Sequence, residues 1–156
     1  MLPPGLIDTS RVSVSDPASS KKRALEKAAA LLAVDGDDEP TAEQIYERLL
    51  ERERLGSTGL AGGAALPHAR MPGIVESRGA FVRLAEPVEF DALDGEPVDL
   101  VFALLVPEEA TEAHLQLLAL LAARFNEEGL RTHLREVEAG DEALSLLIAD
   151  RPTHAE

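Results

Sequence analysis

Polar and apolar positions change period several times along the chain, and each change marks an element. Val12 and Val14 alternate with Arg11 and Ser13, which predicts a short strand ending at the turn-forming pair Asp16-Pro17. The period then lengthens. Ser20 is placed to cap the run KKRALEKAAALLA, where Leu25, Ala29 and Leu32 recur at helical spacing and the basic Lys21, Lys22, Arg23 and Lys27 are assigned to a solvated face. The acidic stretch from Asp35 to Pro40 reads as a loop. Thr41 and Gln44 have the spacing of a capping box, which opens a second helix with an inward stripe of Ile45, Leu49 and Leu50.

Five glycines from Gly56 to Gly73 then interrupt any helix and imply close backbone approaches. Within this segment Ala64 to Leu66 predict a short strand running into Pro67 and His68. Phe81 and Arg83 alternate with Val82 and Leu84, Asp94-Gly95 offers a hairpin turn, and the apolar run Val98 to Val106 predicts a central strand buried on both faces. A third helix begins near Thr111, with Leu115, Leu118, Ala122 and Phe125 on its stripe and His114 beside its first turn. Gly129 separates it from a fourth helix carrying Leu130, Leu134 and Val137. An Asp141 cap opens a last helix with Leu144, Leu147 and Ile148, and residues 151–156 form a fraying tail. Strands interleaved with helices predict a layered α/β domain, and the hairpin makes its sheet mixed rather than wholly parallel.

At 156 residues the chain has the size of one domain, and its 45% apolar content suffices for a core. The formal charge of -14 repels phosphate backbones and anionic bilayers, which argues against nucleic acid as a partner. With no cysteine, disulfides, thiolate metal sites and thiol nucleophiles are excluded. The opening MLPPGLIDTSRVSVSD lacks a basic segment followed by a long apolar one, and no later run has the length of a spanning helix. The expectation is a cytoplasmic chain with no direct membrane insertion. No GxxxxGK[ST], GxGxxG or HExxH motif occurs, and Leu55 occupies the first-glycine position that a nucleophile elbow around Ser57 would need.

Four histidines remain as candidates. His133 lies on a charged helix and His154 in the tail, and both are assigned to solvent. His68 ends the short strand in a glycine-rich setting, with Arg52 or Arg54 before it and Arg70 after it, a composition suited to holding an anion. Near neutral pH a neutral imidazole is a competent nucleophile, while arginine forks and glycine-loop N–H groups stabilise charge on transferring phosphoryl oxygens. Such a transfer asks for positioning and electrostatics and requires no cofactor. On residue types alone, a structural histidine beside a proline remains the alternative. His114 sits where the helix macrodipole disfavours the imidazolium, so it is either a hydrogen-bond donor to a phosphoryl group or a half-buried residue at the edge of an apolar stripe.

The run RERLGSTGLAGGAALPHARMPG resembles the active-site signature of the fructose/mannitol-type enzyme IIA proteins of the bacterial phosphoenolpyruvate-dependent sugar phosphotransferase system. Downstream, FVRLAEPVEFDALDGEPVDLVFALLVPEEATEAHLQLLALLAARF is similar to the nitrogen-regulatory branch, the stand-alone IIA proteins. The resemblance runs from about residue 6 to about residue 150 and is dense from Arg52 to Phe125. It implies a single domain over residues 1–156 with a mixed, roughly five-stranded sheet flanked by helices. It further implies that His68 accepts a phosphoryl group through Nε2 from an HPr-like phosphocarrier protein. His114 matches the family's second active-site histidine, Arg52 the arginine that neutralises the group, and Arg70 a position where the regulatory branch often has a basic residue. The phosphorylated form would regulate target proteins; the alternative is donation to a separate IIB protein in sugar transport. Two positions depart from the pattern. Gly62 replaces a polar or acidic residue, removing a hydrogen-bond partner, and Ala69 replaces the glycine that commonly follows the histidine.

Overall fold

Strand β5 runs from Val98 to Pro107, and every residue of it from Leu100 to Val106 is buried. An apolar run of this kind needs cover on both faces. Its alternation allocates the side chains: Val101, Ala103 and Leu105 enter one core, and Leu100, Phe102, Leu104 and Val106 enter the other. The computed structural model describes residues 2–149, so His154 and the predicted tail lie outside it.

Four further strands attach to this axis: β1 (Val12–Asp16), β2 (Ala64–Ala65), β3 (His68–Met71) and β4 (Arg78–Val88). The order is β1-β4-β5-β2, with β3 continuing beyond β2 along the same edge of β5. Only β4 and β5 are antiparallel; β1 runs parallel to β4, and β2 and β3 run parallel to β5. This is the expected mixed five-stranded sheet. The Asp94-Gly95 turn forms, with Gly95 at φ +74° and its N–H bonded to Ala92 O at 2.9 Å. It lies within a longer connection of residues 89–97 rather than a tight hairpin, because Phe90 and Ala92 in that loop are drawn into the core.

Helices α1 (Lys21–Leu32) and α2 (Ala42–Leu55) cover one face of the sheet; α3 (Thr111–Phe125), α4 (Glu128–Glu136) and α5 (Gly140–Ile148) cover the other. Ser20 caps α1 by accepting from Arg23 N at 3.1 Å. At the start of α2 the Thr41–Gln44 box is reciprocal, with bonds of 3.1 and 2.8 Å. Ile45 and Leu49 are buried as expected, whereas Leu50 is only partly so.

The α3 stripe is rotated from the expected one. Leu117, Leu121 and Phe125 face the core, while Leu115 is 65% exposed. The helix is apolar nearly all round, so its pattern does not fix its phase. Gly129 sits inside the first turn of α4, which begins at Glu128, and Val137 lies just past the end of that helix. Asp141 is not the cap of α5. The Glu142 carboxylate instead reaches back to accept from Glu138 N and Ala139 N at 3.0 and 3.1 Å, so Ala139 is the cap residue. Ala143 and Leu147 provide the buried contacts of α5, and Ile148 is exposed. Among the described residues no helix is long and apolar enough to cross a membrane.

Phe102 lies at the centre of the second core, with its ring 5.9 Å from that of Phe125 and tight against Gly79. We expect Phe102→Ala to cost about 3–5 kcal/mol in urea unfolding, since the surrounding side chains can close the cavity only in part. A loss below about 1 kcal/mol would contradict this packing.

Candidate functional site

Strand β3 occupies a sheet edge, so helices from both layers reach it. Ala69 and Met71 point into the core that α1 and α2 cover; by strand alternation His68 and Arg70 point to the opposite face. There they meet the first turns of α3, and Arg52 comes round the edge from the last turn of α2. A cleft of about 350 Å³ results, lined by Arg48, Arg52, Leu55, His68, Arg70 and His114 among others.

Two hydrogen bonds fix the state of His68. Its Nδ1 lies 2.9 Å from Leu66 O, and because a carbonyl can only accept, Nδ1 carries the proton. Nε2 is then the bare nitrogen and accepts from Arg52 Nε at 3.3 Å. Arg52 is itself held by donating from Nη1 to Gly56 O at 2.8 Å. The Leu66 backbone is fixed in turn through its own N–H, which donates to Thr58 O at 3.0 Å. Pro67 is buried and its carbonyl accepts from Leu104 N at 2.9 Å, so the kink before His68 is tied to β5.

His114 lies on the buried stripe of α3, with its ring centroid 5.3 Å from that of His68. Its Nδ1 is buried and has no partner among the described residues. A neutral ring therefore keeps its proton on Nε2, because an orphaned acceptor costs less than an orphaned N–H. The pKa of His68 is pushed below its ordinary value first by burial and further by the Arg52 charge, with the Leu66 bond and Glu53 pulling the other way. His114 is lowered by burial, then by His68 and Arg70. Both rings are thus neutral at pH 7, one offering a lone pair and the other an N–H.

Of the flanking arginines, Arg52 reaches the imidazole; Arg54 is exposed and does not line the cleft. Arg70 lines the cleft, and Arg48 also does, donating to Arg70 O at 3.3 Å and pairing with Glu108 at 3.8 Å. His133 is exposed, as expected. Among the described residues no glycine of this loop lines the cleft: Gly59 lies close against Ala92, and Gly62 and Gly63 against Arg131 and Arg135. Gly62 is accordingly remote from His68, its carbonyl accepting from Arg135 Nη2 at 2.7 Å. Ala69 has an ordinary strand φ, so the glycine usual at this position is not required for backbone freedom here.

One pair escaped the sequence reading. Glu53 is only 7% exposed, and its carboxylate accepts from Thr58 N at 3.3 Å and from Thr58 Oγ1. Lys21, assigned to a solvated face, instead reaches Glu53 Oε1 at 3.0 Å. The signal was available in part, because Glu53 continues the apolar stripe of Ile45 and Leu49 at intervals of four.

The family model for the phosphoenolpyruvate-dependent sugar phosphotransferase system, EIIA 2, matches residues 6–149. The chain belongs to this family. Within it, a nitrogen regulatory protein of Pseudomonas aeruginosa is 46% identical over 145 residues, 93% of each chain. The crystal structure of the nitrogen regulatory protein IIA-Ntr from Neisseria meningitidis superposes with a TM-score of 0.85 at 42% identity, covering 91% of this chain and 96% of that one. A fructose-specific EIIA component of Haloferax volcanii is 36% identical over 82% of each chain. The regulatory members match better than the sugar-specific one.

The lowered pKa values have a thermodynamic consequence. Between the folded and unfolded values the folded state binds fewer protons, so these groups make stability rise with pH across that window and fall as pH drops below about 6.5. In an NMR titration of the ring protons we expect the His68 midpoint below about 6.5. A midpoint above that value would contradict the burial of the ring beside a guanidinium.

Proposed function

We propose that the protein is a regulatory phosphohistidine carrier in which His68 takes the phosphoryl group on Nε2. The observation that carries this reading is the pairing of a fixed Nδ1–H with a bare Nε2 under the Arg52 guanidinium. The donor is an HPr-like carrier bearing its own phosphohistidine. The Nε2 lone pair attacks phosphorus, the bond to the donor nitrogen breaks, and the electron pair returns to the donor ring. As charge spreads over the phosphoryl oxygens, Arg52 shifts its hydrogen bond from Nε2 to them, and His114 donates from its Nε2–H. Arg70 adds positive charge at the same cleft. The only charge change needed in the imidazole pair is local, because both rings begin neutral.

Loading the site replaces a neutral ring edge with a charged group and so alters which surfaces dock there. The stronger similarity to nitrogen regulatory proteins supports a role in which that change controls target proteins. The similarity to a fructose-specific component supports a second reading, donation to the cysteine of a separate IIB protein. Both uses place the protein in the cytoplasm.

With phosphoenolpyruvate, enzyme I and an HPr-type carrier, the protein should acquire one acid-labile phosphate, and His68→Ala should acquire none. Phosphate on that variant would overturn the assignment. His114→Ala should still load but pass the group on about 10–100-fold more slowly, as measured by quenched-flow transfer, because one donor to the developing charge is lost. Unchanged transfer would make that ring a packing residue. Rapid discharge of the loaded protein to fructose- or mannitol-type IIB partners would favour the transport reading; persistence of the phosphate would favour regulation.

A further inference from the structure

Lys21 lies at the start of α1 and has no access to the cleft, yet it is joined to both sides of the His68 ring. Its Nζ pairs with the buried Glu53 carboxylate at 3.0 Å, sits 4.8 Å above the Phe90 ring and approaches Phe90 O at 3.4 Å. From Glu53 two branches diverge. One is covalent: Glu53 adjoins Arg52, whose Nε reaches His68 Nε2. The other runs through Thr58, which Glu53 holds by side chain and backbone, to Leu66 N and so to the carbonyl that accepts from His68 Nδ1. Ser57 Oγ, donating to Phe90 O at 2.6 Å, ties the intervening loop to the same anchor.

We propose that the Lys21–Glu53 ion pair is a positioning clamp that sets the guanidinium and the imidazole of the site relative to one another. Neither residue touches the phosphoryl group. The inference rests on the phosphoryl-carrier reading for its effect on rate, but not for its effect on geometry. A carboxylate buried to this degree stays in place only while it is paired and hydrogen-bonded. Removing the ammonium leaves Glu53 with an unmet charge, and it must turn toward water or recruit another cation. Either movement releases Thr58, and with it the Leu66 carbonyl and the last turn of α2. Misplacement by an ångström at a transfer site is enough to slow it by about 100-fold.

The test compares Lys21→Met, which keeps the stem and removes the charge, with Lys21→Arg, which keeps the charge. In the unphosphorylated wild type, proton–nitrogen NMR should show distinct, slowly exchanging signals for Arg52 Nε–H and His68 Nδ1–H. In Lys21→Met both should broaden or vanish, and Lys21→Arg should restore them. Phosphoryl acceptance from the HPr-type carrier should fall about 10–100-fold in Lys21→Met while carrier affinity stays within about twofold, again with recovery in Lys21→Arg. Should Lys21→Met fail to fold, Lys21→Gln, which also removes the charge but leaves a polar end beside the still-charged Glu53, is judged by the same criteria. Signals and rates that match wild type, with only the melting temperature lowered, would overturn the clamp and leave a purely structural pair. A wild type that never loads phosphate would defeat the carrier reading instead, and the NMR comparison would still decide the clamp.

Discussion

From Leu100 to Val106 strand β5 is buried on both faces, and the rest of the molecule is arranged around that constraint. Between Leu100 and Val106 its odd and even residues feed two separate cores, which commits the chain to helices on both sides of the sheet. Its free edge then takes β2 and β3 in sequence, and the Leu66-Pro67 break between them is pinned by backbone bonds to Thr58 and Leu104. His68 starts β3 immediately after that break. Its carbonyl partner is therefore part of the scaffold, and the orientation of the ring follows from the burial of the strand beside it.

The electrostatics of the cleft run against those of the whole. A chain of net charge -14 gathers three arginines, Arg48, Arg52 and Arg70, against one carboxylate, Glu51, around two neutral imidazoles. The overall charge opposes polyanions, while the arginines give the cleft a local field suited to a single small anion, which is what the proposed carrier role requires. Burial lowers the imidazole pKa values in the direction the proposed transfer needs, because a protonated ring has no lone pair to offer. Leu55 and Leu115, 84% and 65% exposed, stand beside this basic patch, one lining the cleft and the other next to His114.

Much of this was legible in the sequence. The Ser20 cap, the Thr41–Gln44 box and the apolar run of β5 each depend on local spacing, and all three stand in the fold. His68, Arg52 and His114 were picked out by family resemblance, whereas composition left the two histidines undecided. What stayed hidden depends on the third dimension. The phase of α3 was invisible because leucines and alanines surround it, so the register is chosen by the sheet it packs on. Lys21 and Glu53 are 32 positions apart and become partners only when α1 and α2 pack side by side. Gly62 lies only a few residues from His68 in sequence, yet the turn carries it toward Arg131 and Arg135 of α4.

Everything proposed for the site requires that His68 present Nε2, and not Nδ1, as its basic nitrogen. Long-range proton–nitrogen correlation NMR on the unphosphorylated protein near neutral pH reads this directly, since protonated and bare ring nitrogens resonate far apart. The expected result is a protonated Nδ1 and a bare Nε2 for His68. The opposite tautomer, or a freely exchanging mixture of the two, would contradict it.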